Sequence, residues 1–341
     1  MRNPMWIPKA IIAVIVLVFV GWGGFWVVAS MGAERAFAGW FQDRRDEGWT
    51  AEYASLDTAG FPNRLDTTVT ELNLFDPETG VGWSAPVLQL LALVYQPTQV
   101  IAVLPGEQTY VTPRATHDLT SDDFRASAAV RPELSLPLSR ANVVMEGGRI
   151  ASSLGWETRA DLAKLFLRET PEGVANQYDI VLTVEGFEPD AAFLQRARRS
   201  GVVENVMEGL EIRSTITFDA PWDRAAIEVR RPQPREIDLT ALAASWGELE
   251  LSMEGRLTVD AQGVPTGKVQ VNARNWRDII ALAEASGALP RSMAQVVEQA
   301  AGLIARASGD PETLDVALGF ANGMVSLGPI PLGPAPVIAL P

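Results

Sequence analysis

The sequence lacks cysteine altogether, and it contains one histidine, His117, and only three lysines. Without cysteine the chain can form no disulfide framework, no thiolate metal site and no cysteine nucleophile. A Ser-His-Asp triad would have to use His117, but the neighbouring Asp118 would point to the opposite face of a strand and could not orient the imidazole. We therefore interpret His117 as a loop residue without a catalytic role.

Positive charge is also scarce. The chain has 42 acidic residues against 28 basic ones, which gives a formal net charge of −14. Because nucleic-acid affinity depends on neutralising phosphates with lysine and arginine, this balance argues against nucleic acid as a partner. An anionic membrane surface would repel the body of the protein as well, so charge does not hold it at a membrane.

Motifs for metal, phosphate or acid–base chemistry are missing. Asp118, Asp122 and Asp123 form the densest acidic cluster, but it lacks the glycine and the spacing of a calcium loop. Gly263–Lys268 resembles a phosphate loop, yet it is one residue short between its glycines and leads into a strand, so we predict a hairpin turn. Acid pairs suited to glycoside hydrolysis need only spatial proximity, so sequence cannot identify them. We predict no cofactor, no metal and no enzymatic activity.

A long apolar segment is present near the N-terminus. Residues 10–33 carry no charge, and as a helix they span about 36 Å, enough to cross a hydrocarbon core. Arg2 and Lys9 precede the segment, whereas the charges that follow it are mixed. This asymmetry predicts a cytoplasmic N-terminus (1–9), a transmembrane anchor (10–33) and a translocated body after a polar stalk (34–48).

A cleaved signal peptide is the alternative interpretation of this segment. Residues 36–38, Ala-Phe-Ala, have the small-x-small form of a cleavage site, but charges separate them from the apolar run. The run is also longer than an ordinary signal sequence requires. Trp6, Trp22 and Trp26 lie near the two expected membrane interfaces, as tryptophans of membrane helices commonly do.

The body, residues 49–341, is rich in strand patterns joined by turns. Residues 161–169 are ambiguous between helix and strand. The clearest strand patterns alternate apolar and polar residues or form hairpins: Leu65–Leu72, Arg140–Ile150, Tyr178–Val184, Glu211–Phe218 with Ala226–Arg230, and Glu248–Asp260 with Gly267–Ala273.

Helix patterns are few and late in the body: Pro189–Ser200, Trp276–Ser286 and Pro290–Ala307. Proline begins two of them, and glycine follows two of them. Many strands in hairpin order with a few helices between them predict the α+β class. We expect an N-terminal transmembrane helix followed by an elongated, mostly antiparallel β-sheet body with a few packed helices.

Two predicted strands, Val87–Tyr95 and Gln99–Leu104, are apolar on both faces, so both faces must be covered. They belong either to a closed core between helices or to an apolar groove for an acyl chain, and periodicity alone does not separate the two. The candidate groove residues are Leu88, Leu90, Leu91, Leu93, Val94, Ile101 and Val103.

Four stretches, in this order and spacing, resemble a family of bacterial proteins known as domain-of-unknown-function family 2125. They extend over nearly the whole body: "GFPNR" (Gly60–Arg64), "YQPTQVIAVLPG" (Tyr95–Gly106), "MEGRLTVDAQGVPTGKVQV" (Met253–Val271) and "GMVSLGPIPLGPAP" (Gly323–Pro336). The resemblance implies a proteobacterial protein with one inner-membrane anchor and a periplasmic body. It carries over no catalytic residues, because none is established for the family.

The architecture also looks like that of AsmA-type envelope proteins, whose sheets curl into lipid-carrying grooves. We therefore expect a non-catalytic cell-envelope protein whose partners are the inner membrane, through residues 10–33, and a lipid or another apolar ligand. The alternative is a scaffolding module that binds other envelope proteins, and function does not follow from fold alone.

The phrase "LGPIPLGPAP" (Leu327–Pro336) repeats a five-residue pattern near the end of the chain. Its prolines keep the backbone extended and remove donors from a strand ladder, which suits the edge of a sheet. We predict that it lies against the body after a strand at Met324–Leu327, with Leu327, Ile330 and Leu332 packed inward.

Overall fold

The computed structural model describes residues 6–199, 204–287, 289–308, 310–328 and 330–340. Within these residues the chain forms five helices and 18 strands. The strand pairings with an assigned register are all antiparallel. The predicted α+β class, with an apolar N-terminal helix, a large antiparallel sheet and a few further helices, is confirmed.

The chain divides into two compact units, Met1–Asp118 and Leu119–Pro341. In the first unit β3 is the central strand: it pairs with β1, β2 and β4, and β4 pairs with β5 and β6. The elements that begin in this unit are α1 (Trp6–Asp46), β1 (Thr50–Glu52), β2 (Ser55–Ala59), β3 (Arg64–Asp76), β4 (Val81–Leu93), β5 (Gln96–Val103), β6 (Gln108–Val111) and β7 (Thr116–Thr120).

Helix α1 is one continuous element of 41 residues. Its part from Ile11 onward contains a window apolar enough to cross a membrane, and the side chains of residues 11–20 are exposed. An aliphatic helix surface left exposed in this way would be costly in water but is favourable in hydrocarbon. The helix is therefore consistent with the predicted single-pass anchoring.

The C-terminal half of α1 packs against the strands of the first unit. Phe41 is 4% exposed and forms a core with Ala51, Val69, Leu72 and Ala85. Thus residues 34–48, the predicted stalk, are mostly helix, and their apolar stripe contacts the sheet. The boundaries predicted between stalk and membrane stay predictions. The helix gives way to a turn in which Gly48 has a positive φ of 91°, a conformation that suits glycine.

The second unit is a long antiparallel meander in which each strand from β8 to β18 pairs with the next. Its elements are β8 (Asp123–Val130), β9 (Leu138–Ser152), β10 (Glu157–Glu169), β11 (Gln177–Phe187), α2 (Ala191–Arg199), β12 (Met207–Phe218), α3 (Arg224–Glu228), β13 (Pro234–Trp246), β14 (Leu249–Val259), β15 (Pro265–Arg274), α4 (Trp276–Ser286), α5 (Arg291–Ser308), β16 (Thr313–Ala321), β17 (Met324–Leu327) and β18 (Ile330–Pro334).

One predicted hairpin in this unit is wrong. Residues 226–230, expected to be a strand, fall in and just after the short helix α3, and the partner of β12 is β13. The cause is local: the Asp223 carboxylate accepts hydrogen bonds from the backbone N–H groups of Ala225 and Ala226 and so caps a helix. The ambiguous residues 161–169 lie within strand β10.

Helices α4 and α5 cover the last strands of the meander. Their core contains Trp276 from α4 and three alanines from α5, Ala300, Ala301 and Ala305. These small side chains permit close approach to β16, where Leu314 and Val316 are buried. Helix α2 adds a second cluster that includes Leu194, Ala197, Trp246 and Leu249.

The proline-rich phrase near the C-terminus lies against the body, as predicted. Strand β18 pairs antiparallel with β17 at the edge of the meander. Leu327 is buried, and Ile330 and Leu332 pack against the core formed by α4 and α5. The segment therefore closes the helix-covered end of the sheet.

Candidate functional site

The predicted groove residues lie on both faces of one sheet in the first unit. Leu88, Leu90, Leu91 and Leu93 are on β4, Ile101 and Val103 on β5, and Val94 directly after β4. Strand alternation places Leu88 and Leu90 on one face and Leu91 and Leu93 on the other.

These two faces have different surroundings. On the first face, Leu88 pairs with Val69 and packs against the core that α1 completes. On the other, Leu91 lies directly opposite Ile101, which is 45% exposed. The structure thus brings Leu91, Leu93, Ile101 and Val103 together and separates them from Leu88 and Leu90; their role in ligand binding stays a prediction.

A larger apolar surface lies in the second unit. Directly opposite residues of neighbouring strands share a face, and two adjacent cross-strand rows are apolar over six strands, β11 to β16. We call these two rows the apolar face: Val184, Leu210, Ala244, Leu251, Ala273 and Leu314 in the first row, and Leu182, Ile212, Leu242, Met253, Val271 and Val316 in the second.

The helices cover the apolar face unevenly. At β15 and β16 its residues Ala273, Leu314 and Val316 are buried under α4 and α5. On β11 to β13, Leu182, Ile212 and Leu242 are only half-buried, and none of them belongs to the described helix-centred cores. The apolar face therefore continues from a dry core into a half-buried aliphatic surface of the same sheet.

Sequence reasoning recognised most of these strands but not this surface. The signal was the alternation in the predicted strands Tyr178–Val184, Glu211–Phe218, Glu248–Asp260 and Gly267–Ala273, which makes one face of each apolar. Strands β13 and β16 were not among the predicted strands. Alternation does not say where helices cover that face, because the cover comes from residues far away in the chain. Register and helix placement were needed to find the surface.

The opposite face of the same strands is polar and contains a shallow depression of about 620 Å³. Small residues, Gly209, Ala243 and Ser245, line its floor, because their side chains are too short to fill the space between longer neighbours. Acidic residues at its rim include Glu185 and Glu250. Carboxylates of this kind oppose an anionic headgroup, although the lining of the depression as a whole is more apolar than polar.

Carboxylates elsewhere on the second unit hold the sheet together. Burial alone would raise the pKa of Asp179, but hydrogen bonds from Thr170 (2.9 Å), Thr215 (3.0 Å) and Arg168 outweigh it and lower the pKa. The pKa of Asp219 is likewise lowered against the effect of burial, chiefly by the backbone N–H of Gln233 at 2.8 Å. Such fully ionised, hydrogen-bonded carboxylates stabilise folded structure.

The remaining residues that the sequence singled out lie on strands β7 and β8 and in the turn after β14. His117 lies on β7 with Asp118, so its interpretation as a loop residue was wrong. Asp118 accepts a hydrogen bond from Thr109 Oγ1 at 2.9 Å, whereas Asp123 on β8 forms an ion pair with Arg125. Within the part of the chain that the structure describes, no three His, Asp or Glu side chains are grouped to hold a metal ion. Residues 260–264 form the turn between β14 and β15, which confirms the predicted hairpin.

One ion-pair cluster gives a pH-dependent prediction. Glu157 accepts hydrogen bonds from Arg149 (2.5 Å) and Arg159 (2.7 Å), and they lower its pKa from the ordinary 4.5 to about 2. Because the folded pKa is the lower one, the stabilisation is complete above about pH 4.5 and is lost as the pH falls through about 2. A side-chain NMR titration should give a Glu157 midpoint near 2.

Substitutions provide the control for this titration. Arg149→Gln and Arg159→Gln each remove one guanidinium that binds Glu157 and should raise the Glu157 midpoint. Arg213→Gln, on another strand, should leave the midpoint unchanged. A midpoint near the ordinary carboxyl value in the unmodified protein would contradict the cluster as described.

Comparisons with known proteins give one match. A family model described as "uncharacterized protein conserved in bacteria (DUF2125)" matches residues 26–336. No curated protein and no solved structure matches the chain. Since the matched region begins in the middle of α1 and includes all of the strands β1 to β18, the chain belongs to the bacterial DUF2125 family.

Proposed function

We propose that this protein is anchored in the bacterial inner membrane by α1, that its body lies in the periplasm, and that it shelters lipid acyl chains on the apolar face. The observation that carries the proposal is the unequal cover of that face. Its rows are aliphatic across six strands, yet Leu182, Ile212 and Leu242 are only half-buried. Aligned aliphatic side chains that remain partly exposed to solvent are typical of surfaces that bind an apolar ligand or partner.

The energetics of an acyl chain suit this surface. Each buried methylene contributes about 0.8 kcal/mol. Ten methylenes laid along the rows would supply about 8 kcal/mol, which corresponds to a micromolar Kd before ordering costs. Such an affinity retains a lipid while allowing its release, as transfer between membranes requires.

The packing of α1 supports an uncleaved anchor. Trp22 and Trp26 donate hydrogen bonds to the backbone carbonyls of Pro62 and Arg64, and the Glu34 carboxylate accepts one from the backbone N–H of Thr58 at 2.9 Å. Cleavage after residue 38 would remove all three contacts. The lysine/arginine asymmetry around residues 10–33 favours a translocated body.

We expect Ile212→Gln to weaken the affinity for lipid about tenfold and thereby to lower lipid occupancy. Ile212 lies in the second row between Leu182 and Leu242, and loss of its aliphatic contact with an acyl chain costs about 1.5 kcal/mol, or about tenfold in affinity. Occupancy is measured by mass spectrometry of lipids bound to the full chain purified from membranes.

The matched control is Arg213→Gln, one residue further along β12 and on the opposite face. Arg213 is exposed and pairs with Glu211, so its substitution should leave lipid occupancy unchanged. Both variants keep α1, so lipid that surrounds the anchor contributes equally to the occupancy measured for each. Equal occupancy in both variants would sink the proposal and leave the scaffolding alternative ahead.

A further inference from the structure

The turn between β2 and β3, Gly60–Arg64, is attached to the apolar part of α1. Trp22 Nε1 donates to the Pro62 carbonyl at 2.8 Å, and Trp26 Nε1 donates to the Arg64 carbonyl at 2.7 Å. The Phe61 ring makes edge-to-face contacts with Phe19 (5.7 Å) and Trp26 (5.6 Å). The turn is thus bound to one stripe of the helix rather than held away from it.

The helix contacts set the depth of the turn. From residue 10, where the predicted anchor begins, a hydrocarbon core about 30 Å thick extends to about residue 30. Residues 22–26 then lie in the outer part of the core, about 6–12 Å before its outer boundary. Since the turn packs against residues 19–26, it lies at the same depth.

The polar backbone of the turn suits that environment. A loop that enters lipid must satisfy its own carbonyl and N–H groups. The Gly60 carbonyl accepts from Arg64 N at 2.8 Å, and the Asn63 carbonyl accepts from Val94 N at 3.0 Å. With the two tryptophan donors, four of its five carbonyls are satisfied by protein, and Pro62 has no N–H to satisfy.

The exposed side chains around the turn match a membrane boundary. Phe61 is 43% exposed, and Tyr95, which follows the hydrogen-bonded Val94, is 65% exposed. Aromatic side chains favour the boundary between acyl chains and headgroups. Arg64, whose side chain is 53% exposed, pairs with Asp66 through Nε (3.1 Å) and Nη2 (2.9 Å), and its remaining guanidinium nitrogen offers a donor for a lipid phosphate.

We propose that Gly60–Arg64 is a membrane-contact element: Phe61 enters the acyl boundary of the phospholipid leaflet next to the body, and Arg64 binds a lipid phosphate. This inference rests on the proposed anchoring by α1. Together, the helix and the turn give the first unit two points of attachment to one leaflet. They hold the unit against the membrane in a fixed orientation, which a single tether does not.

The absence of cysteine makes this testable, because one introduced cysteine can be labelled without background. The full chain carrying Phe61→Cys, labelled with bimane, is reconstituted in vesicles of phosphatidylethanolamine and phosphatidylglycerol with brominated acyl chains. We expect the brominated lipid to quench most of the bimane fluorescence. Asn63→Cys is a second labelling site that keeps the Phe61 ring and both tryptophan contacts.

Two further positions separate the possible failures. Val18→Cys, on the exposed surface of α1, reports the anchor itself, and Glu78→Cys, in the turn at the other end of β3, should remain unquenched. Quenching at positions 18 and 61 or 63, but not at 78, supports the proposal. Quenching at position 18 alone would overturn the membrane contact of the turn and leave the anchoring by α1 intact. Absence of quenching at position 18 would overturn both the membrane contact and the anchoring.

Discussion

Replacing Trp276 with alanine is expected to lower the free energy of unfolding of the second unit by about 3–5 kcal/mol, the usual cost of removing a large buried side chain. Trp276 is 1% exposed and lies at the first turn of α4, inside the core shared with α5 and β16. Its indole N–H donates to the Pro311 carbonyl at 3.0 Å. The alanine variant therefore leaves a cavity and removes one of the two hydrogen bonds that the Pro311 carbonyl accepts, the other coming from Arg277.

A phenylalanine at the same position is the matched control. Trp276→Phe keeps most of the ring volume and loses mainly the hydrogen bond to Pro311, so we expect a cost of only about 1–2 kcal/mol. The free energy of unfolding of both variants is measured by urea denaturation, with hydrogen exchange of the backbone amides in α4, α5 and β16 as the readout. Equal losses for alanine and phenylalanine would show that ring volume does not hold this cluster together.

Replacing Gly267 with alanine is expected to cost about 3 kcal/mol, from backbone strain and overpacking combined. Gly267 has a φ of 146°, and a Cβ there would lie 2.2 Å from the Arg256 carbonyl oxygen and 3.1 Å from the Cα of Leu257. Both atoms belong to the backbone of β14, which pairs with β15 at this point. Neither can move aside without breaking the strand ladder.

A comparison with Gly323 separates the cost of backbone strain from the cost of overpacking. Gly323 also has a positive φ, 70°, but nothing lies within 4 Å of a Cβ built on it. Gly323→Ala should therefore cost only the backbone term, about 1 kcal/mol. The same urea unfolding experiment compares the two variants, and a Gly267→Ala variant no less stable than Gly323→Ala would contradict the close approach of β14 and β15.

Much of the fold followed from local sequence signals. Asn275 and Gly287 bracket α4, and its predicted bounds, Trp276–Ser286, agree with the structure. The strand predicted at residues 226–230 was wrong because Asp223 caps a helix there. Apolar spacing does not reveal this hydrogen-bond preference. Propensity and periodicity describe such short segments poorly, since a single side-chain contact decides between two conformations.

The candidate site was less predictable, because it depends on contacts between residues far apart in the chain. The sequence located aliphatic strands around Leu91 and Ile101, but only the register of six strands shows the larger surface that includes Ile212. Trp22 and Trp26 were expected near a membrane interface. Their hydrogen bonds to Pro62 and Arg64, 40 and 38 residues away, were not predictable from spacing.

Photo-crosslinking in intact cells tests the acyl-binding claim most directly. A benzophenone amino acid is placed at Leu242, in the second row of the apolar face, or at the neighbouring Ala243, which is exposed on the opposite face. After irradiation, the full chain is purified and its mass is measured. Lipid sheltering predicts a covalent phospholipid adduct at position 242 and none at 243; no adduct at 242, or equal adducts at both positions, would contradict it.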